Sequence, residues 1–357
     1  MLKSVHLLME QAVTENVFPG GVLLVSKAGR ILFHEAYGQT NIFTGQTVSL
    51  NTIFDLASLT KPLASALAAM MLIQENKLSL DQELGSILPE LKHTPKAKIQ
   101  IRHLLKHTSG LPDYRPYYIA LNHLPAAAAS RKKALHEYLI AEPLVSGIGE
   151  KTQYSDIGFM VLEWVIDLVA ENRLDRYVQK KIYDPLGLAD LFFVDLEQPI
   201  PDKAYAATEV CPWRHMVLNG MVHDDNAYAM GGISGQAGLF GNALAVHGLL
   251  MELLNTYSGL YSPIFDSDLV RLFLKSGPAP DRALGFDVPS RENSSSGDLF
   301  DKTASVGHLG FTGTSFWMDL NQEVEVILLT NRVHPSRMNE KIKAFRPRLH
   351  NEVMKCI

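Results

Sequence analysis

The chain has 357 residues, 46% hydrophobic and 20% charged, with a formal net charge of -5 and two cysteines, Cys211 and Cys356. That length suits one large domain or two around a sizeable core, and the composition excludes a disordered or fibrous chain. Slight acidity offers no basic surface for nucleic acid, and two cysteines are too few for a disulfide framework or a cysteine metal site, so the expected partner is a small-molecule or peptide-like substrate.

Leu2, Val5, Leu8, Met9 and Val13 fall near helical spacing with His6, Glu10 and Gln11 between them. This predicts an amphipathic N-terminal helix and not the apolar core of a secretion signal. As written the chain reads as cytoplasmic; one trimmed of a leader, hence periplasmic or extracellular, would read the same. Strands follow at Val22 to Ser26 and Ile31 to Ala36, joined by a turn at Lys27 to Arg30. The longest apolar run, Pro62 to Ile73, is shorter than the ~20 residues of a membrane span. Helical patterns occupy Ala64 to Glu75, Ile101 to Lys106, Arg131 to Ala141 and Ile157 to Val169. The polar stretch 289–298, "PSRENSSSGD", predicts an exposed loop. Strands return around Ser315 to Leu320 and Val324 to Thr330, hinged at Asn321 to Glu323, and a last helix is expected after Pro335. The fold class is therefore α+β: an antiparallel sheet formed by both chain ends, flanked by helices and carrying a mainly helical insertion. Its expected parts are a discontinuous sheet domain, 1–75 with 205–357, and a helical domain, 76–204, with the active site in the cleft between them.

Two S-x-x-K patterns occur, at Ser58/Lys61 and Ser130/Lys133. Ser130 opens "SRKKALHEYL", whose run of bases reads as a solvated helix face. Lys61 abuts "PLASALAAMMLI", and a lysine entering a core needs a reason. Burial lowers a lysine pKa from its ordinary ~10.4, which makes the amine a usable base. Pro62 belongs in a first helical turn, and residues three apart share a face, so Ser58 and Lys61 can meet. A plain alternative stands beside this: Ser58 or Thr60 caps the helix and Lys61 reaches solvent.

Further on, Tyr154 precedes a helix with Asp156 at or beside its cap, and Gly307, Gly310 and Gly313 step by three before a strand, with His308 among them. Glycine at such density implies close approach of another backbone or a ligand. Other patterns carry less. "GIGEKT" lacks the order of a phosphate-binding loop, His103 and His107 have Leu104 where a zinc-protease motif has glutamate, and "VHDDNA" reads as loop structure. No cofactor or metal is called for.

Taken in order, "FDLASLTKPLA", "IRHLLKHTSGLPDY", "QYSDIGFMVLEWV", "VHDDNAYAMGGISGQAGLF" and "VGHLGFTGTSFWMDL" resemble blocks of the serine β-lactamase and penicillin-binding protein superfamily, specifically its class C-like serine hydrolases. S-x-x-K belongs to that signature, and the resemblance runs from about Gly20 to about Val333. It implies Ser58 as the nucleophile of an acyl-enzyme, Lys61 as its base partner and Tyr154 as the proton carrier to the leaving group. It places the backbone amides of Ser58 and Phe311 in an oxyanion hole, and Tyr114, Asp156, His308, Leu309 and Gly310 along the substrate cleft. Two positions depart from the family. Asp156 stands where the motif has asparagine, and is expected to hold Lys61 charged. His308-Leu309-Gly310 replaces K-T-G, exchanging a permanent cation suited to a substrate carboxylate for an imidazole. The expected activity is cleavage of an ester or amide, D-aminoacyl and peptide bonds included. The alternatives are a penicillin-binding DD-peptidase or weak β-lactamase, and a non-catalytic binding or regulatory protein on the same fold. Oligomeric state is not legible.

Overall fold

The computed structural model describes residues 2–124, 127–275 and 282–357. Helix α1, Lys3–Thr14, leads into strands β1, Gly20–Lys27, β2, Arg30–Asn41, and the short β3, Gln46–Thr47. The sheet is completed from the far end of the chain by β4, Ser305–Leu309, β5, Ser315–Asp319, and β6, Val324–Thr330. Its order is β3-β2-β1-β6-β5-β4, antiparallel throughout. The first and last thirds of the sequence thus meet at the β1–β6 seam, where Leu23 sits opposite Leu328. Both hairpins fall where the sequence puts them, the first with longer strands and the second within one residue of the expected bounds. β2 runs past Ala36 to Asn41 because its far end finds a partner in β3.

Both faces of this sheet are covered, which is why β1 and β6 read as continuous apolar runs and not as alternating ones. Leu23, Val25, Val326 and Leu328 pack with Val5 and Met9 of α1 and with Phe345 and Leu349 of the C-terminal helix, Ile342–Cys356. Val22, Leu24, Ile327 and Leu329 face the opposite way, into a larger cluster that takes in Leu67 to Leu72 and the helices of the middle of the chain. Each such side chain contributes roughly 1.5–3 kcal/mol by leaving water. Among the described residues no helix is long and apolar enough to cross a membrane.

One expectation needs correction. The stretch 289–298 is not simply exposed: Ser294 and Ser296 are buried and hydrogen-bond each other at 2.7 Å, and Asn351 of the C-terminal helix accepts from the Asp298 amide. Serine hydroxyls that satisfy one another can enter a core, which composition does not reveal. The helix expected after Pro335 is present at Ile342–Cys356; ahead of it the carbonyls of Arg337 and Asn339 accept hydrogen bonds from the Arg332 guanidinium. Ser130 and Lys133 are both exposed on the helix Ala128–Ala141.

Candidate active site

Ser58 lies in a short 3₁₀ turn, Ala57–Leu59, that runs into a wide π-type turn over Lys61–Ala66 and then helix α2, Leu67–Gln74. Single wide turns of this kind concentrate at functional positions. Pro62 sits in the first turn, where its missing N–H leaves no bond unmade. The turn is held by its own side chains. Asp55 accepts from the Ala57 amide (2.8 Å) and, through its other oxygen, from the His223 amide (2.7 Å). Thr60 donates to the Ala57 carbonyl and accepts from the Leu239 amide. Ala57 is held at φ +49, a strained conformation that costs about 1–3 kcal/mol and persists only where neighbours over-determine it.

Lys61 is fully buried, and its ammonium donates to Ser58 Oγ (3.1 Å) and to the Gln236 carbonyl (3.1 Å) and pairs with Asp156 Oδ1 at 2.7 Å. The two sequence arguments about this amine pull in opposite directions, burial lowering its pKa and Asp156 holding it charged, and the second prevails. Burial does pull it down, but the charge of Asp156 and the hydrogen bonds of Asp156 and Tyr154 outweigh it, and the amine is held above the ordinary lysine range. Tyr154 is pushed up by burial, while Lys61 and the hydrogen bonds of Lys61 and Ser58 work against that rise. Its ring lies 4.8 Å from the Lys61 nitrogen.

Tyr154 is positioned by the segment that precedes Tyr114. Ser155 caps helix α3, Asp156–Ala170, accepting from the Gly158 amide and donating to the Pro112 carbonyl. His107 brackets the tyrosine: its carbonyl accepts from the Gln153 amide (2.8 Å), its Nδ1 from the Ser155 amide (3.0 Å), and its ring lies 4.6 Å from the Tyr154 ring. An Nδ1 that accepts puts the imidazole proton on Nε2. Burial, with Arg282, Lys61 and His308 nearby, holds His107 well below the usual histidine range.

On the opposite side, β4 is the last strand of the sheet, with His308 paired to Phe316 and Leu309 to Ser315. After it the chain makes a tight turn in which the Gly310 amide donates to the Thr314 carbonyl (2.7 Å). Thr312 and Thr314 donate to the carbonyls of Asp55 and Leu56, so this turn is laced directly to the residues before Ser58. A Cβ on Gly310 would fall 2.7 Å from the Leu56 carbonyl and overlap the Thr314 hydroxyl. Gly310→Ala is therefore expected to lower stability by about 1–3 kcal/mol and to depress turnover, read by urea denaturation and kcat on the same preparation.

Ala57, Ser58, Tyr114, Tyr154, Asp156 and Phe311 line one cavity of about 370 Å³ together with His223, Asp224, Asp225, Gln236, Ala237 and Arg337. Lys61, His308, Leu309 and Gly310 are not among its lining residues. His308 is buried against the Tyr154 ring, and burial, with Lys61 and Arg282 adding to it and Asp287 opposing it, drops its pKa to about 4. It is neutral at physiological pH. The unfolded chain binds this proton near its ordinary ~6.5 and the folded chain refuses it until about 4, so the folded state loses stability as pH falls between those values. Between about pH 7.5 and pH 4.5, urea denaturation of His308→Asn is expected to show a stability loss smaller than wild type's by roughly 2 kcal/mol.

The sequence reading passed over several residues here. "VHDDNA" is more than a loop: Asp224 caps a short helix, Asp225–Ala229, and faces the cavity, its pKa pushed up to about 6 by burial and by the Asp156 charge. Arg337, paired with Glu209 (2.5 Å) and Asp225 (3.3 Å), closes the rim. Aspartates before "NAYA" carry an N-cap signal, and Asp55 two residues before Ala57 is an Asx-turn signal. His107 and Arg337 carry none.

A hydroxyl, an amine and a phenol gathered beside the edge of an antiparallel sheet are the parts of an acyl-transfer site. The sequence matches the family described as Beta-lactamase over residues 5–346, and the chain belongs to that family of serine hydrolases. It is 34% identical over 363 residues to N-acetylmuramyl-L-alanine amidase of Bacillus subtilis (strain 168), covering 93% of this chain and 81% of that protein. Among solved structures it is similar to EstCE1, a hydrolase with promiscuous acyltransferase activity (TM-score 0.73, 23% identity, 97% of this chain and 98% of that one). It is also similar to the octameric penicillin-binding protein homologue from Pyrococcus abyssi (TM-score 0.72, 21% identity, 92% of this chain and 72% of that one). The expected α+β fold is the fold of these proteins.

Proposed function

We propose that the protein cleaves an ester or amide through an acyl-enzyme on Ser58, with an amide-bearing acylamino compound as the first class to test. The observation that carries this is the Lys61 ammonium, buried and shared between Ser58 Oγ at 3.1 Å and Asp156 at 2.7 Å. A charged amine is not a base, so its proton must leave first, and Asp156 is the acceptor in contact with it. When substrate displaces water from the cavity the ion pair weakens, Lys61 passes a proton to Asp156, and the neutral amine takes the Ser58 proton as Oγ bonds to the acyl carbon. The carbonyl electrons move onto oxygen, where the amides of Ser58 and Phe311 receive them, each donor worth roughly 3–4 kcal/mol in comparable sites. The intermediate collapses as Tyr154 gives its proton to the leaving group and regains one from Lys61; water repeats the sequence on the acyl-enzyme. In this reading the cleft lies between the sheet part, 1–75 with 205–357, and the helical part, 76–204, and the cavity draws Ser58, Gln236 and Phe311 from one and Tyr114, Tyr154 and Asp156 from the other.

The absence of a lysine at the K-T-G position argues against substrates that need a cation for their carboxylate. His308 is neutral, and Arg337 is already paired with Glu209 and Asp225. With p-nitrophenyl butyrate, D-alanine p-nitroanilide, N-acetylmuramyl-L-alanine and nitrocefin as a panel, kcat/KM for the best ester or amide is expected to exceed that for nitrocefin by about 100-fold or more, the scale set by one lost charged contact. Nitrocefin as the best substrate would instead favour the β-lactamase reading. No turnover of any of the four, with ligand affinity unchanged in Ser58→Ala, would favour a binding protein.

A further inference from the structure

Arg346 on the C-terminal helix is 5% exposed, and among the described residues no carboxylate pairs with it. Buried guanidinium groups are ordinarily paired. This one instead donates from Nη2 to two main-chain oxygens, those of Gly310 (3.1 Å) and Thr314 (2.7 Å), and its Nε is buried without a partner. Those carbonyls are the two ends of the tight turn after β4. The Gly310 carbonyl belongs to the same peptide group as the Phe311 N–H, which among the described residues has no acceptor in the protein. Arg332 fixes the following peptide by donating from Nε to the Phe311 carbonyl (2.8 Å).

A peptide group is a conjugated plane, so a cation bonded to its oxygen draws electron density away from its nitrogen. Hydrogen bonds in such a chain reinforce one another, and a water-poor surrounding increases the effect. We propose that Arg346 is a positioning residue for acyl transfer: it holds and polarises the Gly310–Phe311 peptide so that the Phe311 N–H binds the oxyanion of the tetrahedral intermediate. The negative charge that the buried guanidinium lacks in the resting protein is then the one that forms when Ser58 Oγ bonds to the acyl carbon and the carbonyl electron pair moves to oxygen. Arg346 exchanges no proton in this step. The proposal rests on the acyl-enzyme reading above and adds to it the source of the oxyanion site's strength. A staple that merely ties the C-terminal helix to the sheet would have no preference between a planar ester and a tetrahedral anion, and that difference is measurable.

The experiment uses the full chain with Arg346→Met and Arg346→Lys, a p-nitrophenyl ester as substrate, and phenylboronic acid, which becomes a tetrahedral anion on a reactive serine. Arg346→Met is expected to lose roughly 10- to 100-fold in kcat, below the effect of deleting an oxyanion donor outright, with KM within about twofold and boronate affinity falling in step with kcat. Arg346→Lys, which keeps the cation, is expected to recover part of both. Wild-type kcat in Arg346→Met, or a loss of kcat with unchanged boronate affinity, overturns the proposal. Should Arg346→Met fail to fold, Arg346→Gln, which keeps a donor and removes the charge, decides: parallel losses of kcat and boronate affinity support the proposal, and wild-type values of both overturn it. A wild-type protein that neither turns over the ester nor binds boronate overturns the acyl-enzyme reading along with this one, whereas active wild type with an indifferent Arg346→Met overturns this one alone.

Discussion

Ser58→Ala is expected to lower kcat/KM at least about 10⁴-fold for every ester or amide the protein turns over, the scale on which serine hydrolases lose activity when the nucleophile is removed. The same substitution is expected to leave stability within about 1 kcal/mol of wild type. The two expectations follow from one geometry. The Ser58 hydroxyl accepts a hydrogen bond from Lys61, but the ammonium keeps its ion pair with Asp156 and its bond to the Gln236 carbonyl when that hydroxyl is gone. The strained Ala57 turn is held by Asp55 and Thr60, not by Ser58. Progress curves with a p-nitrophenyl ester and urea denaturation on the same samples check both. A variant that keeps more than a tenth of wild-type activity rules Ser58 out as nucleophile.

Asp156→Asn is expected to move the alkaline-rising limb of the kcat/KM profile to lower pH by roughly 1–3 units, the usual effect of one contacting opposite charge. The sign follows from the contributions to Lys61. Burial lowers its pKa, and Asp156 and Tyr154 raise it by more. The base form of the amine is therefore scarce at neutral pH, and activity rises as pH rises toward it. An asparagine keeps the shape of the aspartate but removes both its charge and the proton acceptor of the proposed transfer, so the amine must lose its proton to solvent; burial then prevails, and that loss, with the limb it sets, comes at lower pH. Lys61→Met is the contrast, because it removes the titrating group and should depress activity at every pH with no limb to move. A profile for Asp156→Asn that superimposes on wild type would show that Lys61 does not set the rate, and would shift the base role to Tyr154.

How far the sequence foretold this molecule varies by residue. The β1–β2 and β5–β6 hairpins were legible because β-branched runs and short polar turns, the first with Gly29 and the second with Asn321, are local signals. That Ser58 and Lys61 share a face followed from spacing and from Pro62. What escaped depends on contacts between distant segments. Burial of Lys61 and the hold of Asp156 on its charge were both expected, but which of the two prevails is decided only when α3 packs against α2 and brings that carboxylate, 95 positions away, to 2.7 Å. His308 was placed along the cleft by its motif position, yet its side chain turns inward against Tyr154, a choice made by burial and not by the motif. Asp55, His107 and Arg346 work through main-chain atoms of the site, and a side chain that bonds to backbone leaves no partner identity in the sequence to find.

The central claim is that Ser58 is the atom that becomes acylated. Intact-mass measurement of the full chain after exposure to a fluorophosphonate, followed by peptide mapping, tests it most directly. One adduct per chain on the peptide bearing Ser58, absent from Ser58→Ala, is the result expected. An adduct on another residue, or equal labelling of wild type and Ser58→Ala, would contradict it.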